Sequence, residues 1–311
     1  METFDKTTPE MMKGAPLHVQ NGSEPQALGV HMMLFGVSLL AAIAAYYQPL
    51  RQLLNLSLSS ELYSHIVLIP FVCLYLVYDA RKAIFADSCY SLLQGAVLLA
   101  AAVAVLLLGR FYFSELASND QLSLQIFTFV VIVLSAFMLF FGTAAFKQAI
   151  LPLFFMFFMV PFPTALLQGL IKFLQDGSTE AAHLLLWLSG APFLREGYTF
   201  HLPGMSIEVA EQCSGIRSGL CLFITAILAG HLFLRRSWSK LALVVAAVPI
   251  TIFKNGMRIV TLTLLGVYVD PRILGSDLHK KGGIPFFGLA LLFLGIALYL
   301  LRRFEQRKRA T

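Results

Sequence analysis

The chain has 311 residues, of which 58% are hydrophobic and 13% are charged. Soluble domains carry about 25% charged residues, so this composition excludes an ordinary soluble enzyme. Several apolar stretches approach the ~20 residues that a helix needs to cross a ~30 Å hydrocarbon core. The formal net charge of +6 does not indicate nucleic-acid binding, because most basic residues lie in one set of loops between these stretches. The composition predicts an all-α, polytopic helical membrane protein surrounded by lipid.

Taken in order, the apolar stretches predict about eight transmembrane helices in a single domain over residues 29–301. These helices are expected at about 29–47, 65–80, 91–109, 122–141, 149–163, 214–234, 241–269 and 283–301. Residues 1–28 are polar, so a short flexible tail without a cleavable signal peptide is predicted there. A polar loop is expected between the first helix and Ser64, and residues 302–311 are expected to form a basic tail.

The fifth stretch and the segment that follows it differ from the others. Pro152, Pro161 and Pro163 predict a kinked or short crossing, because proline lacks the N–H that a helix needs. Residues 164–190 have an amphipathic pattern that predicts one or two helices, broken at Asp176-Gly177. Glycine and proline punctuate residues 191–209, which favours irregular or extended chain. Residues 164–212 are therefore predicted to form a segment on the outer face.

The distribution of lysine and arginine predicts how the chain is oriented. If the amino terminus is cytoplasmic, thirteen basic residues lie on that side: Lys6, Lys13, Arg81, Lys82, Lys147, Arg235, Arg236, Lys240, Arg302, Arg303, Arg307, Lys308 and Arg309. Seven lie on the opposite side, in longer loops: Arg51, Arg110, Lys172, Arg195, Arg272, Lys280 and Lys281. Because short cytoplasmic loops are enriched in Lys and Arg, both termini are predicted to be cytoplasmic.

One polar segment, Glu208–Gly219, directly precedes the apolar stretch of the sixth helix. It contains a single thiol, that of Cys213, among carboxylates, hydroxyls and a guanidinium. Polar groups at the mouth of a membrane helix are costly and commonly functional. A thiol becomes a strong nucleophile when a nearby cation or base favours the thiolate. Cys213 is therefore a candidate catalytic nucleophile.

Two further candidates are expected at the depth of Cys213. Arg258 lies roughly 26 Å above the cytoplasmic start of the seventh helix, at 1.5 Å per residue, and His279 directly precedes the eighth helix. Histidine is the usual general base near neutral pH, and a guanidinium can stabilise a thiolate or an oxyanion. The candidate supporting or substrate-binding residues are Glu211, Ser214, Arg217, Lys254 and Asn255.

The other reactive side chains have simpler interpretations. Cysteine in a membrane helix is usually a small packing residue, and this role or none is expected for Cys73, Cys89 and Cys221. A structural or interfacial role is expected for His183, His201 and His231. The same interpretation stays open for His279, which adjoins two lysines. The sequence has no CxxC pair and no Cys–His zinc spacing, so no metal or other cofactor is predicted.

The segment Val209-Ala-Glu-Gln-Cys-Ser-Gly-Ile-Arg-Ser218 resembles the cysteine motif of the exosortase/archaeosortase family of multi-pass membrane transpeptidases. Further stretches resemble other family motifs in order and spacing: Tyr63-Ser-His65 with Pro70, Leu151–Pro163, Gly190–Gly197, Asn255-Gly-Met-Arg-Ile259, and His279 with Gly282-Gly283. The resemblance implies Cys213, Arg258 and His279 as the catalytic residues. The chain departs from the family at Lys280, where an acidic or polar residue is more usual, and at Lys254-Asn255-Gly256, where the family usually has a more apolar run.

The resemblance also implies an activity. A family member in the bacterial inner membrane would cleave exported proteins near a carboxy-terminal sorting signal, from the outer or periplasmic side. Such a signal, of the PEP-CTERM type in bacteria, consists of a short motif, a membrane helix and a basic cluster, and is linked to extracellular polysaccharide. Cys213 would form a thioester with the substrate and pass it to an acceptor that the sequence does not identify.

Two other functions stay open at the level of sequence. A purely hydrolytic intramembrane cysteine protease would use the same Cys213 and His279, with water as the acceptor. A transporter for an anionic solute would use Arg217, Lys254 and Arg258 as binding groups, although no internal repeat pairs the two halves. Neither HExxH nor GxGD occurs in the chain, which argues against a metalloprotease and a diaspartyl protease.

The orientation is testable with reporter fusions placed after Arg236 and after Thr311. Both fusions are expected to give a cytoplasmic signal, because the basic residues favour that side for the loop and for the carboxy terminus. A third fusion at Gly197 is expected to give the opposite signal. A periplasmic signal at Arg236 or Thr311 would remove the reason for placing Cys213, Arg258 and His279 at one depth.

Overall fold

The protein folds as a bundle of long helices with one small sheet. A computed structural model describes residues 25–112, 117–270, 272 and 283–310. Its α-helices are α1 (Pro25–Ala45), α2 (Tyr47–Ser59), α3 (Ile69–Ile84), α4 (Leu92–Tyr112), α5 (Ser118–Gln148), α6 (Ile150–Phe155), α7 (Thr164–Ser189), α8 (Ile216–Phe233), α9 (Ser237–Tyr268) and α10 (Gly283–Ala310). The 3₁₀ helices are Glu61–Leu68, Met156–Met159 and Glu211–Cys213, and the strands are β1 (Leu194–Glu196), β2 (Thr199–Leu202) and β3 (Met205–Glu208).

The helices are long and apolar enough to make this a multi-pass membrane protein, which confirms the predicted fold class. Seven stretches of the described chain qualify as candidate membrane spans: Leu28–Ala45, Glu61–Ile84, Leu92–Gly109, Ser118–Gln148, Glu211–Phe233, Ser237–Tyr268 and Gly283–Arg307. An eighth is counted if the bent pair Ile150–Met159 and Thr164–Ser189 forms one span. The bent pair coincides with the fifth crossing that the prolines predict to be kinked or short.

A sharp corner separates this short segment from α7. The axis turns by 93° between Ile150–Met159 and Thr164–Ser189, and the first turn of α5 holds the corner in place. The amide of Asn119 donates to the carbonyl of Phe162 at 2.9 Å. The carboxylate of Asp120 accepts from the backbone N–H and the hydroxyl of Thr164, at 2.6 and 2.8 Å. Asp120 thus satisfies a free N–H at the start of α7 and places a negative charge at the positive end of that helix.

Helix α7 is continuous, so the predicted break at Asp176-Gly177 is wrong. Thr164–Ser189 is a single helix of 26 residues. The glycine that indicated a break instead allows close packing: a Cβ on Gly177 would lie 2.8 Å from a methyl group of Ile252 on α9. Gly177 is needed for a tertiary contact with α9, and local helix propensity does not predict such a contact.

A three-stranded antiparallel sheet, in the order β1-β2-β3, occupies most of the stretch predicted to be irregular or extended. Several side-chain hydrogen bonds attach the sheet region to α7. Gln175 donates to the carbonyl of Val209 at 2.6 Å, the hydroxyl of Tyr198 donates to Asp176 at 2.6 Å, and Arg195 is paired with Glu180 at 2.7 Å. The bond to Glu180 raises the pKa of the Arg195 guanidinium, which keeps this pair ionic.

The polar stretch before Ser64 is helical and not a loop. It forms α2 and then the 3₁₀ helix Glu61–Leu68. The buried hydroxyl of Ser57 donates to the carbonyl of Tyr63 at 3.0 Å and joins the two elements. Polar residues interrupt its apolar ones, so the hydropathy of the stretch alone predicts a loop.

Two long helices organise the packing of the rest. Helix α5 packs against α1, α3 and α4, and helix α9 packs against α7, α8 and α10. The core around α5 is aromatic and includes Phe129, Phe137 and Phe141. The core between α8, α9 and α10 contains smaller residues such as Ala226, Ala247 and Ala290. The candidate catalytic residues that the structure describes belong to the α9 group.

The corner before α7 gives a stability prediction. Asp120→Ala removes both hydrogen bonds to Thr164, and the loss of a helix cap is expected to destabilise the fold by about 1–2 kcal/mol. Thermal unfolding of the purified protein in detergent measures this as a lowered midpoint. Asp87→Ala, at an exposed turn position, is the matched control and is expected to leave the midpoint unchanged. Equal midpoints for the two variants would contradict the assigned role of Asp120.

Candidate active site

Cys213 lies in a tight turn directly before α8. It ends the 3₁₀ helix Glu211–Cys213, where its N–H donates to the carbonyl of Ala210 at 2.8 Å. Gly215 follows with φ of +80°, in the left-handed region that glycine tolerates best, and α8 begins at Ile216. The side chain of Cys213 is half-buried. The thiol is therefore carried by a defined turn at the start of a helix, in a partly accessible position.

Asn255 of α9 holds this turn. Its side-chain amide donates to the backbone carbonyl of Cys213 at 2.6 Å and to the hydroxyl of Ser178 on α7 at 3.0 Å. Asn255 and Ser178 are both fully buried. A Cβ on Gly215 would lie 2.9 Å from the amide carbon of Asn255, so only glycine fits beside the amide. One side chain thereby joins α7, α9 and the turn that carries the thiol.

Two cations lie on α9 next to Asn255. Arg258 follows it by one helical turn and is half-buried. Lys254 is buried, with 3% of its surface exposed, and its ammonium donates to the hydroxyl of Ser218 at 2.5 Å. The contact with Ser218 places the Lys254 ammonium against the first turn of α8.

Close packing brings α7, α8 and α9 near enough for the hydrogen bonds of Asn255 and Lys254. A Cβ on Gly256 would lie 2.7 Å from the Cβ of Ala181 on α7, and a Cβ on Gly219 would lie 2.8 Å from a methyl group of Thr251. Small residues allow membrane helices to approach closely where lipid offers no hydrophobic drive for association. The glycines on α8 and α9 thus set the distances that the polar contacts need.

The other candidate residues have different surroundings. Arg217 forms an ion pair with Glu61, at the start of the 3₁₀ helix Glu61–Leu68, and both side chains are exposed. Glu211 is exposed, and Ser214 is fully buried with a hydroxyl for which the described residues provide no hydrogen-bond partner. His279 lies outside the described residues, so its position relative to Cys213 stays a prediction.

An apolar groove begins one turn below Cys213. It has a volume of about 310 Å³ and lies between α7, α8, α9 and the segment before α7. Ile216, Leu220 and Phe223 form its wall on α8, at the spacing that places residues on one face of a helix. Leu170, Phe173 and Val248 contribute from the neighbouring helices. The groove therefore lies along the first two turns of α8, which directly follow the thiol turn in the chain.

The comparisons with known proteins identify the family. The model of the family described as transmembrane exosortase matches residues 54–296. The chain belongs to this family. No curated protein and no solved structure matches the chain. The matched region of the exosortase begins in α2, ends in α10 and contains the whole site around Cys213.

Sequence reasoning on this exosortase missed three residues that organise the site. Ser178 receives the amide of Asn255, Ser218 receives the ammonium of Lys254, and Glu61 is paired with Arg217. Serine in a helix usually bonds to its own backbone, so neither serine differs in pattern from a packing residue. One signal was available, because Thr251, Lys254, Asn255 and Arg258 follow the i, i+3, i+4, i+7 spacing of one helical face.

The glycine beside Asn255 gives a prediction for the site. Gly215→Ala introduces a Cβ in a left-handed conformation that costs about 1–2 kcal/mol, and the same Cβ displaces the Asn255 amide. We expect a lower unfolding midpoint together with altered alkylation of Cys213 by iodoacetamide. Gly288→Ala, on α10 with no atom within 4 Å of the new Cβ, is the matched control. It should be neutral or slightly stabilising, and an equal loss in both variants would contradict a local role for Gly215.

Proposed function

We propose that this exosortase is a membrane-embedded cysteine transpeptidase that cleaves the carboxy-terminal sorting signal of exported proteins. The observation that carries the proposal is the hydrogen bond from Asn255 to the carbonyl of Cys213. It fixes the thiol turn against the part of α9 that carries Arg258 one turn later. A nucleophile held beside a cation at the start of a helix is the arrangement that favours a reactive thiolate.

The proposed reaction proceeds through an acyl-enzyme. The proton of Cys213 passes to His279, and the thiolate attacks the scissile carbonyl to give a tetrahedral oxyanion, which Arg258 stabilises. Collapse of this intermediate breaks the C–N bond while His279 returns the proton to the leaving amine. The acceptor then attacks the resulting thioester, its proton passes to His279, and the C–S bond breaks to release Cys213. Water as the acceptor would make the enzyme a hydrolase, and an amine or hydroxyl of another molecule would make it a transpeptidase or transferase.

The substrates are proposed to be PEP-CTERM-like proteins, whose sorting signal includes a membrane helix. The apolar groove below Cys213 supports this proposal, because an apolar segment entering from the bilayer can lie against Ile216, Leu220 and Phe223. The small sheet attached to α7 lies next in the chain before Cys213, and it is proposed to cover the extended part of the signal. The acceptor is proposed to be a molecule on the outer side, in keeping with extracellular polysaccharide chemistry.

The proposed location is the bacterial inner membrane, with both termini cytoplasmic and the site on the periplasmic side. The excess of Lys and Arg on the predicted cytoplasmic side supports this orientation. A transporter for an anionic solute is the alternative from a different class, since Lys254 and Arg258 are also groups that could bind an anion.

Replacing the catalytic candidates tests the proposal. In cells that co-express a candidate substrate, Cys213→Ala is expected to abolish processing, and Cys213→Ser to be nearly inactive because a hydroxyl is a far weaker nucleophile. His279→Ala is expected to lower the rate by ~10²–10⁴-fold. Arg258→Lys keeps the charge and loses the planar donors, so a loss of ~10²–10³-fold is expected. Mass analysis of the new carboxy terminus measures processing and shows which acceptor was used.

Cys221→Ala is the matched control, because Cys221 lies on the same helix, two turns after Cys213. It should process substrate at the rate of the unaltered enzyme. Membrane abundance of every variant has to be equal for the comparison to hold. An active Cys213→Ala enzyme would refute the transpeptidase and the hydrolase together and would leave the transporter as the better hypothesis.

A further inference from the structure

A buried lysine lies beneath the turn that carries the thiol. Only 3% of the surface of Lys254 is exposed, and the partner of its ammonium is the hydroxyl of Ser218, at 2.5 Å. A hydroxyl is neutral, so within the described residues this contact does not compensate the positive charge. A buried charge is strongly unfavourable in a membrane domain and is retained where it is used. A negative charge that arises nearby during the reaction would stabilise this lysine.

Hydrogen bonds from two neighbouring residues of α9, Lys254 and Asn255, reach the two ends of the turn after Cys213. The hydroxyl of Ser218 donates to the carbonyl of Gly215 at 3.1 Å, so its oxygen is left to accept from Lys254. Asn255, the next residue of α9, donates to the carbonyl of Cys213 at 2.6 Å. Two consecutive residues of one helix thus hold the turn, and the ammonium is two hydrogen bonds away from Gly215.

The described carboxylates around the turn are not placed to compensate Lys254. On the elements packed around the turn, the other charged or titratable side chains are Glu61, Tyr63, His65, Lys172, Asp176, Glu180, His183, Glu211, Arg217, Cys221, His231, Lys240, Arg258 and Tyr268. Within the described residues, three of the four carboxylates are bonded elsewhere: Glu61 to Arg217, Glu180 to Arg195 and Asp176 to Tyr198. The fourth, Glu211, is exposed, whereas Lys254 is buried.

We propose that the ammonium of Lys254, fixed by Ser218 beneath the turn, favours the thiolate of Cys213 and so prepares the nucleophile. The inference rests on the proposed function, in which Cys213 is the nucleophile and its proton passes to His279. Lys254 is then a positioning residue that acts through the sulfur and has no need to touch the substrate. Opposite charges within about 4–6 Å favour the ionised form of an acid, and burial limits screening by water and salt.

The rate of alkylation at Cys213 tests the inference without a substrate. The full-length enzyme in lipid nanodiscs is treated with iodoacetamide, a neutral reagent, at pH 7, and mass spectrometry follows Cys213 and Cys221 separately. Lys254→Met keeps the length of the side chain and removes the charge, so alkylation of Cys213 is expected to slow roughly tenfold. Lys254→Arg keeps the charge and is expected to stay within about threefold of the unaltered enzyme. Ser218→Ala releases the ammonium and should fall between the two.

Cys221 serves as an internal reference for the fold, and its rate should not differ between Lys254→Met and Lys254→Arg. An unchanged Cys213 rate in Lys254→Met would overturn the inference, as would an equal loss in Lys254→Met and Lys254→Arg, which would indicate a packing role. The processing assay with Cys213→Ala separates a failure of this inference from a failure of the proposed function. If that variant is inactive while Lys254→Met alkylates normally, only the inference about Lys254 fails. If that variant is active, the proposed function fails and the inference with it.

Discussion

The hydrogen bond from Asn255 to the carbonyl of Cys213 is the interaction on which the site depends. The carbonyl ends a 3₁₀ turn and has no helical partner, and a membrane domain offers little water to satisfy it. A side chain 42 residues further along the chain provides the donor. Because the same amide also reaches Ser178, the position of the thiol follows from how α7 and α9 pack. Anything that separates these helices also moves Cys213.

Helix packing around α9 makes this reach possible. Gly256 of α9 lies against Ala181, and Gly177 of α7 lies against the side chain of Ile252, so each helix packs closely on a glycine of the other. In lipid, such contacts gain dispersion energy and allow short polar side chains to meet their partners. Longer residues at these positions would separate the backbones by more than the Asn255 amide can span. The glycines are therefore part of the site although they carry no chemistry.

The sequence predicted the membrane helices well because uninterrupted apolar stretches of sufficient length have few alternative structures. Its errors lie where tertiary contact overrides a local signal. Gly177 indicated a break but fits a helix crossing, and the polar residues before Ser64 form a helix. At the site, Cys213 and Arg258 were candidates from the sequence because reactive groups are rare in such stretches. Ser178 was not, since its role depends on the facing helix.

Four polar residues of α9 explain how one helix can organise the whole site. Thr251, Lys254, Asn255 and Arg258 lie on one face, at the spacing of a helical stripe. Thr251 lies against Gly219, Lys254 donates to Ser218, and Asn255 donates to the carbonyl of Cys213. Lys254 falls on this stripe and is buried, so it does not face lipid. A polar change there acts on the thiol turn, whereas the same change on the opposite face would only expose a charge to lipid.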